Sequence, residues 1–166
     1  MSLFVAAIGA TVTAIFELTV GPYLRMGNAQ PHLVFVLAVI WTVAIGLESG
    51  LTWAFVGGIA LDALAQRPLG TSSFALIISV GLAASISRPF IRIRPLVVVP
   101  VVAILSLVYS MTQFVLLGAM GSPISSNNPV VALLPGVLYD TVLAVIVGPL
   151  AVATHDRYAE QERVDW

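Results

Sequence analysis

Long apolar blocks dominate the chain, and the pauses between them carry Pro, Gly, Asn or Arg. A helix needs roughly 20 apolar residues to cross a bilayer, so the pauses divide the sequence into six candidate spans. These run approximately from Leu3 to Leu24, His32 to Gly46, Gly50 to Gln66, Leu69 to Ser87, Leu96 to Gly118 and Val130 to Thr154. The second and third are short and separated only by Leu47, Glu48 and Ser49, where a tight turn is preferred over one long bent helix. The pattern predicts an all-α polytopic membrane protein: one six-helix transmembrane domain over residues 1–154, then a short charged cytoplasmic tail over 155–166. No connection is long enough for a soluble domain.

Small residues recur inside the blocks at i, i+4 spacing, which places them on one helix face. In the third block Gly50, Ala54, Gly58 and Asp62 form such a row, with Gly57 beside it. The first block has Gly9, Thr13, Glu17 and Gly21, and the sixth has Gly136, Asp140, Ala144 and Gly148. Uncharged rows occur at Ala75, Ser79, Ala83 and Ser87, and at Ala38, Thr42 and Gly46. Small residues let helix backbones approach closely in lipid, so the rows read as packing or partner-binding faces.

Three of the rows carry one acid each: Glu17, Asp62 and Asp140. No basic residue lies inside any apolar block, so these carboxyls need hydrogen-bond donors, water, an outer arginine or another protein as partners. Two readings stay open. One is a hydrogen-bonded polar cluster that fixes helix register; the other is an outward-facing polar pocket or docking site.

Composition agrees with the block pattern. Of 166 residues, 59% are hydrophobic and only 9% charged, far from the usage of a soluble domain. The absence of cysteine excludes disulfides, thiolate metal sites and cysteine nucleophiles. A net charge of −1 gives no footing for nucleic-acid binding. All seven basic residues are arginine, and nothing in the sequence explains why. With six spans, Arg88, Arg92, Arg94, Arg157 and Arg163 lie on one side and Arg25 and Arg67 on the other, which places both termini in the cytoplasm. The three acids then sit at similar depth, toward the outer side.

Arg88, Arg92 and Arg94, in the run RPFIRIRP, read as a cytoplasmic basic surface against anionic lipid, each arginine contributing roughly 1 kcal/mol near the membrane, with a cytoplasmic partner as the second reading. His32 and His155 fall on opposite sides and read as interfacial polar residues that cannot converge on a metal or a catalytic site. Pro135 and Pro149 read as kinks in the last span. No HExxH, phosphate-binding loop or convergent nucleophile and base is present, so neither an enzyme nor a cofactor is expected.

The stretch ESGLTWAFVGGIALDALAQRPLGTSSFA carries Gly57, Gly58, Leu61 and Asp62, then Pro68, Leu69 and Gly70. This resembles the signature of the rod-shape-determining MreD family: a Gly-rich third span ending in Leu-x-Asp, followed by Pro-Leu-Gly. Pro31, His32 and Leu33 at the start of the second span, and Pro135 to Tyr139 in the last, are similar to further family features. In that family the position of Asp140 is often asparagine and that of Glu17 often glutamine or another polar residue, so hydrogen bonding is the shared property there. The resemblance implies a non-catalytic inner-membrane subunit of the cell-elongation complex that supports lateral peptidoglycan synthesis. Its implied partners are a single-span MreC-like protein and, indirectly, MreB, RodA and its transpeptidase; a homodimer is compatible with the pattern. Asp62, Pro68 and Gly70 would then hold the outer end in shape. The family fold is similar to the six-helix substrate-binding subunits of energy-coupling-factor vitamin transporters, which sets a rival reading. Ala6, Ala10 and Ala14 would form its docking row, and Glu17, Asp62 and Asp140 would line its outward pocket.

Overall fold

The computed structural model describes the backbone at residues 3–25, 30–87, 94–121 and 129–161, and side chains at 3–25, 30–87, 98–121, 133–149 and 151. Arg88 and Arg92 lie outside the described residues, as does the side chain of Arg94, which opens a helix. Six α-helices are formed, with no strand among the described residues: α1 (Leu3–Val20), α2 (Leu33–Ala44), α3 (Leu47–Leu64), α4 (Thr71–Ser87), α5 (Arg94–Ala119) and α6 (Pro129–Gln161). A short 3-10 turn, Gly21–Leu24, follows α1 where Pro22 interrupts it.

The helix α2 is the hub. Its sequence LVFVLAVIWTVA is apolar on every side, the signature of a helix enclosed all round. Nine of its twelve residues are buried, and it packs against each of the other five helices. At roughly 18 Å it is shorter than the hydrocarbon core of a bilayer, about 30 Å. Two helical stretches, Leu3–Leu24 and Val98–Ala119, are long and apolar enough to cross a membrane; α2, α4 and Leu133–Pro149 are shorter apolar helices. The sequence pattern therefore corresponds to six helices, of which these two meet the length of a span.

Boundaries depart from expectation at both ends of the chain's polar pauses. The helix α3 begins at Leu47, taking in Leu47, Glu48 and Ser49, because the turn after α2 is compressed onto Gly46 at φ 136°, a conformation glycine adopts without strain. The last helix runs on past Thr154 to Gln161, through a tail whose Arg157, Ala159, Glu160 and Gln161 are good helix formers.

Around α2 the others follow the order α1, α3, α4, α5, α6, each touching the next. Small residues set these contacts. A Cβ on Gly58 would strike the backbone of Ser73 in α4, one on Gly57 would lie 2.7 Å from Val34 Cγ1, and one on Gly50 would lie 2.9 Å from Thr42 Cβ. With Ala54 fully buried, the α3 row packs against the chain's own helices. On α1 the most buried stripe is Ala6, Ala10, Ala14 and Glu17; the neighbouring row also packs, with Gly21 buried and a Cβ on Gly9 only 2.8 Å from the Trp53 ring, while Thr13 is half-buried. The large residues Phe4, Ile8, Val12 and Phe16 face outward, as in a helix with lipid on one side.

Candidate functional site

Each helix start in a low-dielectric interior leaves backbone N–H groups without intrahelical partners, at a cost of several kcal/mol apiece in lipid. Neither α2 nor α4 meets this need from its own side chains alone. The three buried acids do, each from another helix.

Asp62, fully buried near the end of α3, holds the start of α4. Its Oδ2 accepts hydrogen bonds from Gly70 N at 2.8 Å and Ser72 N at 3.0 Å, and its Oδ1 accepts from Thr71 Oγ1 at 3.1 Å. Its backbone carbonyl accepts from Arg67 N at 2.9 Å, the closing bond of a helix C-terminal motif in which Gln66 takes a positive φ of 53°. The single hydroxyl proton of Thr71 is shared between Asp62 Oδ1 and the nearer Pro68 O, at 2.8 Å, and Gly70 has φ 97°. The Leu-x-Asp and Pro-Leu-Gly elements are thus one device: a carboxylate whose charge and acceptors complement a helix N-terminus across the corner of residues 65–70.

Glu17 and Asp140 converge on the start of α2. Glu17 Oε2 accepts from Val34 N at 2.7 Å. Asp140 Oδ1 accepts from His32 N at 2.9 Å, while its Oδ2 pairs with His32 Nδ1 at 3.0 Å and accepts from Ser106 Oγ. The structure brings these two acids to one helix end and places Asp62 at another. They are joined indirectly: Gln113 Nε2 donates to Ser72 Oγ and to Tyr109 Oη, and the Tyr109 ring meets His32 edge-on at 5.4 Å.

Sequence reasoning assigned His32 to the interface and overlooked Ser106, Tyr109, Ser110 and Gln113. Yet a signal for the latter was present. Positions 106, 109, 110 and 113 are a polar stripe on one face of α5 at helical spacing.

Above the start of α2 lies a cavity of about 250 Å³. Its polar lining is Glu17, Arg25, Gln30, His32, Arg67, Tyr109, Ser110 and Gln113; its apolar lining includes Leu18, Leu61, Phe114, Leu117 and Leu133. Asp62 and Asp140 do not line it, so the pocket imagined around all three acids is open to Glu17 alone. No group of three His, Cys, Asp or Glu residues suited to a metal occurs among the described residues.

Fold and site together define an all-helical membrane protein in which buried acids cap the helices of their neighbours. The family described as rod shape-determining protein MreD matches residues 1–153, and the chain belongs to it. No curated protein and no solved structure matches the chain.

Proposed function

We propose that this protein is a non-catalytic, multi-pass subunit of the bacterial cell-elongation complex, with both termini in the cytoplasm, that supports rod shape by binding an MreC-like single-span protein. MreB, RodA and its transpeptidase would be reached through that partner, and lateral peptidoglycan synthesis would be the process served. The observation that carries this reading is the family match over residues 1–153. The packing supports it. The acids and glycines that drew attention in the sequence are spent on holding helices together, which suits a rigid platform. The outward face of α1, with Phe4, Ile8, Val12 and Phe16 exposed, is the surface we assign to a partner helix or to lipid.

The transporter reading keeps the cavity but loses its docking row, because Ala6, Ala10 and Ala14 are buried, with Ala10 close against Gly57 of α3. The test is purification from native membranes in mild detergent. Retention of a single-span MreC-like protein is the expected result; a stoichiometric vitamin, or association with an ATPase module in place of that partner, would overturn the proposal.

A further inference from the structure

Capping accounts for Glu17, Asp62 and Asp140, but three groups in the cavity wall remain without a task. Arg25 and Arg67 stand exposed at its mouth, and neither is in salt-bridge contact with an acid among the described residues. Ser110 Oγ, on a residue only 5% exposed, is a buried hydroxyl with no hydrogen-bond partner. An unpaired buried polar group normally costs free energy, and its presence in a cavity wall points to something that bonds it.

The wall is also two-natured and the ring of helices is open beside it. Leu18, Phe114 and Leu117 supply apolar surface next to the guanidinium groups. No described Cα atom of α1 comes within 8 Å of one in α5 or α6, so the helix order closes everywhere except between α1 and α6. Exposed apolar side chains, Phe16 on α1 and Leu134 and Leu138 on α6, belong to the two helices that border this gap.

We infer that the cavity binds a phosphate-headed lipid, its phosphodiester held by Arg25 and Arg67 with Ser110 as a further donor and its acyl chains leaving through the gap between α1 and α6. Arginine presents several N–H donors in a planar fork that suits phosphate oxygens, and such charge-assisted bonds are about twice as strong as neutral ones. Two guanidiniums against the single carboxylate of Glu17 leave the wall net positive. A free phosphate would use the same donors but would leave the apolar half of the wall and the lateral opening unused. The site is independent of which protein partner the platform carries.

Delipidated full-length protein in detergent, probed by native mass spectrometry, tests this. Phosphatidylglycerol should bind one to one, while diacylglycerol, which lacks the phosphate, and inorganic phosphate, which lacks the chains, should not compete with it. Arg25→Gln with Arg67→Gln should weaken phosphatidylglycerol binding by at least about tenfold. The same charge removed at Arg88 and Arg92, which the sequence places at the other membrane face, should leave it unchanged. Ser110→Leu, which fills the cavity and spares both arginines, should weaken it as well. Equal losses from the two arginine pairs would mean general attraction to an acidic lipid and would overturn the site. Binding of diacylglycerol as tight as that of phosphatidylglycerol would overturn the role of the phosphate, and competition by inorganic phosphate would overturn the lipid.

Discussion

The corner between α3 and α4 and the start of α2 are built from the same materials: an acid on one helix, the backbone N–H groups of another, and small residues that let the two approach. They end up differently. At the corner Gly58 brings α3 onto the backbone of α4 and Asp62 has no solvent exposure and does not line the cavity, although its neighbours Leu61 and Arg67 do. At the start of α2, Asp140 is equally enclosed, but Glu17 borders a cavity that α1, α5 and α6 do not close. A buried acid in this protein is therefore first a structural cap. What distinguishes a candidate site is the polar group left over once the caps are counted.

The sealed corner is where substitution should cost most. Gly58→Leu would drive a side chain into Ser73 N and Cα, atoms fixed in the first turn of α4, so the helices must separate. We expect a loss above the usual overpacking range of about 1–3 kcal/mol, seen as aggregated rather than monodisperse protein in detergent. A folded, monodisperse Gly58→Leu variant would show that α3 and α4 do not meet on this face.

Next comes the carboxylate itself. Asp62→Leu strands Gly70 N and Ser72 N, each worth about 1–3 kcal/mol when left unpaired in the interior. Asp62→Asn should be far milder. Its oxygen can replace Oδ2 toward both N–H groups, while its amide can donate to Thr71 Oγ1, which itself donates to Pro68 O. Thermal unfolding that ranks asparagine beside leucine would show that the charge, rather than the acceptor geometry, holds the corner.

Much of this architecture is written in local sequence. The small-residue rows mark where helices meet, because in a bilayer close approach depends on side-chain size and the i, i+4 period is visible in one chain. The turn at Gly46 and the corner at Pro68 and Gly70 are likewise local. The partners of the acids are not. Val34 N lies 17 residues from Glu17, and His32 lies 108 residues from Asp140, distances that only the tertiary arrangement spans. The enclosure of α2 is likewise a tertiary property. Its short apolar run fits a marginal membrane span and a buried hub equally well, and packing decides between them. The stripe of Ala6, Ala10 and Ala14 was visible as a row, but which face of α1 turns inward depends on Trp53 and Gly57 of α3, which lie against Gly9 and Ala10.

The third test bears on the pair of acids at α2. Asp140→Asn can keep its oxygen on His32 N and turn its amide toward His32 Nδ1, with the proton of the neutral ring on the other nitrogen and Ser106 Oγ accepting. A stability change within about 1 kcal/mol is expected, close to the net worth of one hydrogen bond. Nitrogen NMR of labelled histidine should show the ring neutral with its proton on Nε2. A protonated ring in the variant, or a collapse in stability, would mean that the ion pair is required.

Glu17→Gln should disturb folding least, because its remaining side-chain oxygen can still accept from Val34 N. Thermal stability is expected to change by less than about 1 kcal/mol. Its consequence should appear at the cavity instead. Among the described residues Glu17 is the one carboxylate in a wall that also carries Arg25 and Arg67, so removing its charge leaves the two guanidiniums unopposed. Phosphatidylglycerol should then bind more tightly, by a few-fold, the scale expected for one charge interaction in a partly solvated site, about 1 kcal/mol. Weaker binding would place the phosphate elsewhere, or assign Glu17 to a cationic group of the ligand, and either outcome would overturn a phosphate held by Arg25 and Arg67.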